Sequence, residues 1–150
     1  MKQWVPHVTV ACVVEQDGRY LLVEERDKTS VVMVFNQPAG HLEANETLTE
    51  AAIRETREET GWSVDILGVL GIALFTAPGN GITYHRTTFV AKPLAALANA
   101  VIDPDIDQVH WLQYEEILDI SDRMRSPLVI FYIERYRSGI VYPLDIIKRW

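Results

Sequence analysis

Glu55, Glu58 and Glu59 crowd one turn of the stretch GHLEANETLTEAAIRETREETGW at 40–62, which the sequence predicts to be largely helical. At about 100° per residue, with Leu48 set at zero, Ala51 falls at roughly 300°, Ala52 at roughly 40°, Glu55 at roughly 340°, Glu58 at roughly 280° and Glu59 at roughly 20°. The carboxylates therefore share an arc with the small apolar residues, while Glu50 and Arg57 face solvent. Local physics opposes this arrangement. Like charges at i,i+3 and i,i+4 repel, the helix C-terminus disfavours anions, and the buried side withholds water from them. Such conflicts tend to mark functional sites. A divalent cation resolves this one, because clustered oxygen ligands suit Mg2+ or Mn2+. The cluster holds no sulfur and no histidine, which argues against structural zinc. Ala51 and Ala52 let the helix approach the preceding loop, where Gly40 can aim a backbone carbonyl at the same ion. Taken alone, the three glutamates also fit a charge-rich helix end with no ligand.

The elements that must position this turn are legible around it. Thr47 with Glu50 three residues on forms a capping box, and Gly61 supplies the stop. Upstream, HVTVACVVE at 7–15 reads as a strand buried on both faces. QDGR turns the chain at 16–19, and RYLLVEE at 19–25 returns as the second arm of a hairpin. SVVMVF at 30–35 is a third strand, broken into a loop by Pro38 and Gly40 in NQPAGH at 36–41. Downstream, 63–77 holds one long or two short strands. APGNG at 77–81 turns, and ITYHRTTFVAK at 82–92 is a strand polar enough on one face to line something wet. QVHWL at 108–112 is a short strand and YEEILDI at 114–120 a short helix. The last helix starts with Ser126 as N-cap and Pro127 as first residue, and ends at Gly139. Leu128, Phe131, Tyr132 and Arg135 share one of its faces, the aromatics docking on the sheet. Strands, helix, strands and helices in this order predict an α/β mixed sheet with helices packed on it.

The chain has 150 residues, 48% of them hydrophobic and 23% charged, which suits one folded domain spanning 1–150. Its net charge of −7 gives no general attraction to nucleic acid or anionic membrane. Phosphate binding would fall to a few local cations or a metal. The single cysteine, Cys12, sits in an apolar run and reads as a small buried hydrophobe; no disulfide can form within the chain. No signal pattern and no apolar run of spanning length is present, which fits a cytoplasmic protein without a membrane segment. No coiled-coil heptads appear, and a monomer is expected.

The full spacing of the helical stretch narrows the chemistry. Gly40, five residues, Glu46, seven residues, then Arg54-Glu55-X-X-Glu58-Glu59-X-Gly61-Trp62 resembles the Nudix box, a long gapless pattern. Thr56 departs from it where an aliphatic residue is usual, and Ala39 stands where many members carry glycine. The resemblance implies a Nudix-type α/β/α sandwich and a hydrolase of diphosphate-linked compounds, in which divalent ions hold the phosphate oxygens. It implies Glu55, Glu58 and Glu59 as metal ligands, one of them a candidate to activate water, Arg54 as the holder of a neighbouring carboxylate, and Glu46 in a supporting role. PHVTVACVV, NQPAGHLEANETL, DIDQVHWL, RSPLV and SGIVYPL are similar to the NudJ subgroup of phosphatases. That subgroup implies hydrolysis of nucleoside tri- and diphosphates, and of the pyrimidine diphosphate of the thiamine pathway.

Substrate-reading residues are less marked. Arg86, in its polar strand, is a candidate phosphate contact, with a cross-strand ion pair as the alternative. His41 flanks Gly40 and is a candidate substrate contact. Arg26 and Lys28 follow the hairpin and are weaker candidates. Trp4, Phe35 and Tyr84 can stack on a base, although core filling suits each better. Asp103, Asp105 and Asp107 form an acidic loop able to supply a further carboxylate. His7, His85 and His110 read as structural or surface residues. The expected function is a Mg2+-dependent hydrolase, with Mn2+ as a possible substitute, acting on nucleoside tri-/diphosphates and small organic pyrophosphates. The rivals are an RNA 5′-end pyrophosphohydrolase, which the net charge disfavours, and a non-catalytic ligand-binding regulator on the same fold, which the intact glutamates disfavour.

Overall fold

The structure is a computed structural model and describes residues 1–28 and 30–150. Strands β1 (His7–Gln16) and β2 (Arg19–Arg26) form the expected hairpin. Asp17 and Gly18 join them at φ +53° and +80°, the two successive left-handed residues that a tight hairpin turn needs. Val10 through Val14 are all buried, so β1 is covered on both faces as its composition predicts. Strand β3 (Met33–Asn36) is shorter than the expected 30–35. The carbonyl of Asp27 accepts the Val31 N–H at 2.9 Å, and Val31 has φ +55°, so the first residues of that run serve a turn.

The loop expected over 36–41 contains a strand. Strand β4 (Ala39–His41) pairs antiparallel with β1, Val10 lying opposite Gly40. Pro38 has no N–H to give, but its carbonyl accepts the Cys12 N–H at 3.0 Å, so the breaker sits at the strand's start and extends its pairing. After helix α1 (Leu48–Thr60), β5 (Trp62–Thr76) runs as one long strand against β6 (Thr83–Ala96). Its register shifts near Gly68 and Gly71. Strand β7 (Ile106–Gln113) returns beside β2. The order is β3-β2-β1-β6-β5, with β4 on β1 and β7 on β2, and β1 runs parallel to β6.

Helix α1 covers one side of this mixed sheet, where Ala51 and Ala52 meet Val10, Cys12, Val14, Phe89 and Ala91. Helices α2 (Tyr114–Asp119) and α3 (Leu128–Arg137) cover the other, Ile117, Val129 and Ile133 packing with Val13, Leu22, Leu70 and Val90. The result is the α/β/α sandwich the sequence implies. Helix α3 starts one residue later than expected, with Pro127 as its N-cap, although Ser126 Oγ still accepts the Leu128 N–H at 3.2 Å, and Gly139 follows at φ +78°. The docked face is rotated from the expected one: Val129, Tyr132 and Ile133 are buried, whereas Phe131 is half exposed. Among the described residues, no helix is long and apolar enough to cross a membrane.

Cys12 is fully buried, its thiol pushed up to about 12 by burial. A thiolate is the reactive form, so native protein at pH 8 should resist a thiol alkylator and react stoichiometrically once denatured. Rapid native labelling counted by mass spectrometry would contradict that placement.

Candidate active site

Helix α1 presents the acidic turn because both its ends are fixed. The Thr47 hydroxyl accepts the Glu50 N–H at 3.1 Å, and Glu50 returns a carboxylate oxygen to the Thr47 N–H at 3.0 Å. At the other end, Gly61 takes φ +76° and donates its N–H to the Arg57 carbonyl. The buried face comprises Ala51, Ala52, Thr56, Glu59 and Thr60. Its centre lies toward Thr56, away from Glu58, so the three glutamates are graded. Glu59 is 8% exposed, the Glu55 side chain 14% and the Glu58 side chain 47%. Thr56, expected at the edge, is fully buried, and its hydroxyl donates to the Ala52 carbonyl at 2.8 Å. The departure from an aliphatic residue therefore leaves no unpaired polar atom.

Strand β4 receives this turn. A Glu59 carboxylate oxygen accepts the Ala39 N–H at 2.8 Å. A Cβ on Gly40 would overlap the Glu55 carboxyl group, so only glycine leaves room for it. Because β1 pins β4 on both sides of Gly40, Gly40→Ala should expel the Glu55 carboxylate and lower any Glu55-dependent activity about a hundredfold with the fold intact. Wild-type rate in a folded Gly40→Ala protein would contradict this packing.

Arg54 organises the rest. Its Nε and Nη2 donate to the two oxygens of Glu46 at 3.0 and 2.7 Å, and its Nη1 donates to Glu55 at 2.8 Å and Glu58 at 3.2 Å. Nη2 also donates to the His41 carbonyl at 3.0 Å. One guanidinium thus spans α1, the 41–46 loop and the end of β4. Hydrogen bonding to Arg54 holds the Glu46 carboxyl below its usual range. Burial pushes Glu55 up despite Arg54, and pushes Glu59 up to about 9.

Glu55 and Glu59, with Ala39, Gly40 and Glu43, line a pocket of about 680 Å³, whereas Arg54, Glu46 and Glu58 are outside its lining. Arg86 lines it and is 7% exposed. The ion pair considered for it does not form among the described residues: its guanidinium donates to Gln37 Oε1, to Thr88 Oγ1 at 3.4 Å and to Asn36 Oδ1 at 3.5 Å. Gln37 Nε2 donates in turn to the Val129 carbonyl at 2.8 Å, which turns its oxygen toward Arg86. Burial lowers Arg86 to about 10, so it stays charged at neutral pH. A buried cation held by neutral oxygens is a place for an anion.

His41, Arg26, Lys28, Asp103 and Asp105 line the same pocket. The Asp103 N–H donates to the Glu58 carbonyl at 2.8 Å, tying the acidic loop to the end of α1, while Lys28 pairs with Asp105 at 3.2 Å on the exposed rim. Asp107 stays outside it. His7 is exposed, as expected of a surface residue, and its Nδ1 lies 3.0 Å from His41 Nε2 across β1 and β4. His110 meets Glu24 at 2.9 Å, and Phe35 fills the core beneath Arg123. Trp4 is exposed and away from the core, against expectation, whereas Tyr84 lines the pocket. Sequence reading missed Asn36 and Glu25, which line the pocket, and Gln37, which holds Arg86 from beneath it; the polar pair before Pro38 was the available signal.

The site fits a hard divalent cation. Among the described residues, no three acidic, histidine or cysteine side chains already converge as a closed cage, because Arg54 and the Ala39 N–H hold the carboxylates individually. Yet the donors are all oxygen. Burial disfavours ionisation of Glu25, Glu55 and Glu59, pocket-lining carboxyls that a cation would relieve.

The comparisons with known proteins agree. The NUDIX domain model matches residues 5–131. Phosphatase NudJ of Escherichia coli strain K12 is 44% identical over 142 residues, covering 95% of this chain and 90% of that protein, and the Shigella flexneri phosphatase NudJ matches equally. A NUDIX hydrolase structure from Nitrosomonas europaea superposes with a TM-score of 0.93 at 41% identity, covering 97% of this chain and 98% of that one. A UDP-X diphosphatase structure, at 17% identity and TM-score 0.73, shares the fold, covering 94% of this chain and 68% of that one. The chain belongs to the NUDIX domain family and is a hydrolase of phosphorus-containing anhydrides.

Proposed function

We propose that this chain is a Mg2+-dependent hydrolase of nucleoside tri- and diphosphates and small organic pyrophosphates, close in activity to the phosphatases it resembles. One observation carries the reading. A single pocket is lined both by the oxygen donors Glu55, Glu59 and Gly40 and by the buried Arg86, which forms no carboxylate ion pair among the described residues. The first suits a cation and the second an anion, which is the pairing that a metal-bound phosphate chain requires.

In this reading Glu55, Glu58, Glu59 and the backbone at Gly40 hold Mg2+, with Mn2+ able to replace it. The cation, when bound, neutralises phosphate charge and lowers the pKa of a coordinated water. Arg54 orients Glu55 and Glu58 and is itself anchored by Glu46. Arg86 holds a phosphate oxygen, and His41 lies at the rim where substrate enters. Asp103 stands close enough to the end of α1 to add a carboxylate. The protein acts as a cytoplasmic monomer on small molecules; the net charge of −7 disfavours an extended nucleic-acid partner.

The test is a panel of nucleoside di- and triphosphates and organic pyrophosphates, the thiamine-pathway pyrimidine diphosphate included. It is assayed with Mg2+, with Mn2+ and with chelator, and orthophosphate and pyrophosphate are quantified separately. Metal-dependent turnover of at least one class is expected. No turnover on any of them, in protein shown to be folded, would sink the proposal. Triphosphorylated RNA belongs in the same panel, and a marked preference for it would reassign the substrate.

A further inference from the structure

The pocket has a second, uncharged end. Residues Ala77, Pro78, Gly79 and Asn80 wall it, together with Phe75 and Tyr84, and none of these carries a charge. Sheet register sets its distance from the charged end. Side chains on β6 alternate, so Tyr84, Arg86 and Thr88 project to the same face, about 6.6 Å apart at each step. Tyr84 lies between Phe75 of β5 and His7 of β1, and Arg86 lies beside Thr9, which is opposite His41. An aromatic row therefore precedes the arginine row, which continues across β1 to His41, and Gly40 and Ala39 follow it toward Glu55 and Glu59.

The Tyr84 ring is held in place. Its hydroxyl accepts from Asn80 Nδ2 at 3.1 Å, and Asn80 Oδ1 accepts the Ile82 N–H at 2.9 Å, so the side chain is fixed by its own turn. His7 and His41 meet the ring edge-on at 5.7 and 6.3 Å between centroids. Tyr84 also lines the pocket, so part of the ring borders the space a ligand would occupy.

We infer that this end is the subsite for a planar heteroaromatic group, Tyr84 stacking on it while Arg86 takes the phosphate chain. The inference rests on the hydrolase reading above and names the residue that selects the organic half of its substrate. Ligands with a base or comparable ring gain affinity from Tyr84, and phosphate chains without a ring do not.

Calorimetric titration with Mg2+ present separates the two. The probes are a methylene-bridged, non-hydrolysable nucleoside triphosphate and ring-free methylenediphosphonate, each against wild type, Tyr84→Ala and Tyr84→Phe. Loss of one stacked base contact predicts about tenfold weaker binding of the nucleotide to Tyr84→Ala. The ring-free ligand should bind all three proteins within about twofold, and Tyr84→Phe should retain the nucleotide affinity of wild type. Equal weakening of both ligands, unchanged nucleotide affinity in Tyr84→Ala, or a wild type that binds the nucleotide no better than methylenediphosphonate would each overturn the assignment. A wild type that binds as expected but turns over nothing would count against the hydrolase reading alone.

Discussion

Glu59→Gln is expected to lower kcat by about a thousandfold, the scale of losing a group that acts in the reaction step, without harming the fold. Glutamine keeps an oxygen for the Ala39 N–H that Glu59 now accepts at 2.8 Å, so the contact between α1 and β4 survives. What disappears is the charge available to a cation. A pH signature accompanies the loss. In the metal-free protein burial raises Glu59 to about 9 from an ordinary value of 4.5. Between those values the folded chain keeps a proton that the unfolded chain releases, so stability falls as pH rises through the window. A non-ionising glutamine removes that contribution. Metal-free Glu59→Gln should therefore exceed wild type in Tm near pH 8 and converge with it near pH 4. Adding Mg2+ should raise the wild-type Tm at pH 8 and raise that of the variant less, because binding to the folded state alone is stabilising. Thermal melts at these pH values, with chelator or Mg2+, and a rate assay on the same samples decide it. A variant keeping kcat within about tenfold of wild type, or lacking the alkaline gain in Tm, would refute the placement of Glu59.

How much of this was legible depended on whether the relevant contacts are local. Helix α1 was, down to its capping residues and its glycine stop, because caps and periodicity are set within a few residues. The hairpin at Asp17 and Gly18 was legible for the same reason. Strand β4 was not: three residues are too few to show alternation, and Pro38 and Gly40 read locally as breakers. Its existence depends on β1, about 30 residues earlier in the chain. The graded burial of the glutamates shows the limit of angles alone. The arc of Leu48, Ala51 and Ala52 sets the inward direction to within one position, but packing turned the helix toward Thr56, burying Glu59 and exposing Glu58. Arg86 illustrates a different limit. Its charge and its strand were visible, yet its partners Asn36 and Gln37 lie some 50 residues away, and only the folded sheet shows that it is buried with no carboxylate ion pair among the described residues. His7 and His41 likewise meet only through the pairing of β1 with β4.

Arg54→Ala is expected to cost both stability and rate, and Arg54→Lys to recover only part of each. The guanidinium bridges both oxygens of Glu46 and reaches Glu55, Glu58 and the His41 carbonyl, with its side chain 15% exposed and that of Glu46 13% exposed. Removing it strands four carboxylates, those of Glu43, Glu46, Glu55 and Glu58, around a space no longer positive. Breaking one partner of an ion pair at this partly screened depth should cost about 1–3 kcal/mol, a fall in Tm of several degrees for a domain of this size. Rate should fall further than stability requires. Glu55 and Glu58 lose the donor that fixes their rotamers, and positioning errors near 1 Å can cost about a hundredfold. Lysine restores the charge but not the planar fork that takes Glu46 with two donors while reaching Glu55 with a third. Its Tm should rise toward wild type while its kcat stays well below. Mg2+ offers an internal control: occupancy of the carboxylates by a cation relieves their repulsion, so saturating Mg2+ should narrow the Tm gap between Arg54→Ala and wild type. If Arg54→Lys regains full kcat, Arg54 supplies charge alone; if Arg54→Ala melts like wild type in chelator, the four-carboxylate network does not carry the local stability assigned to it.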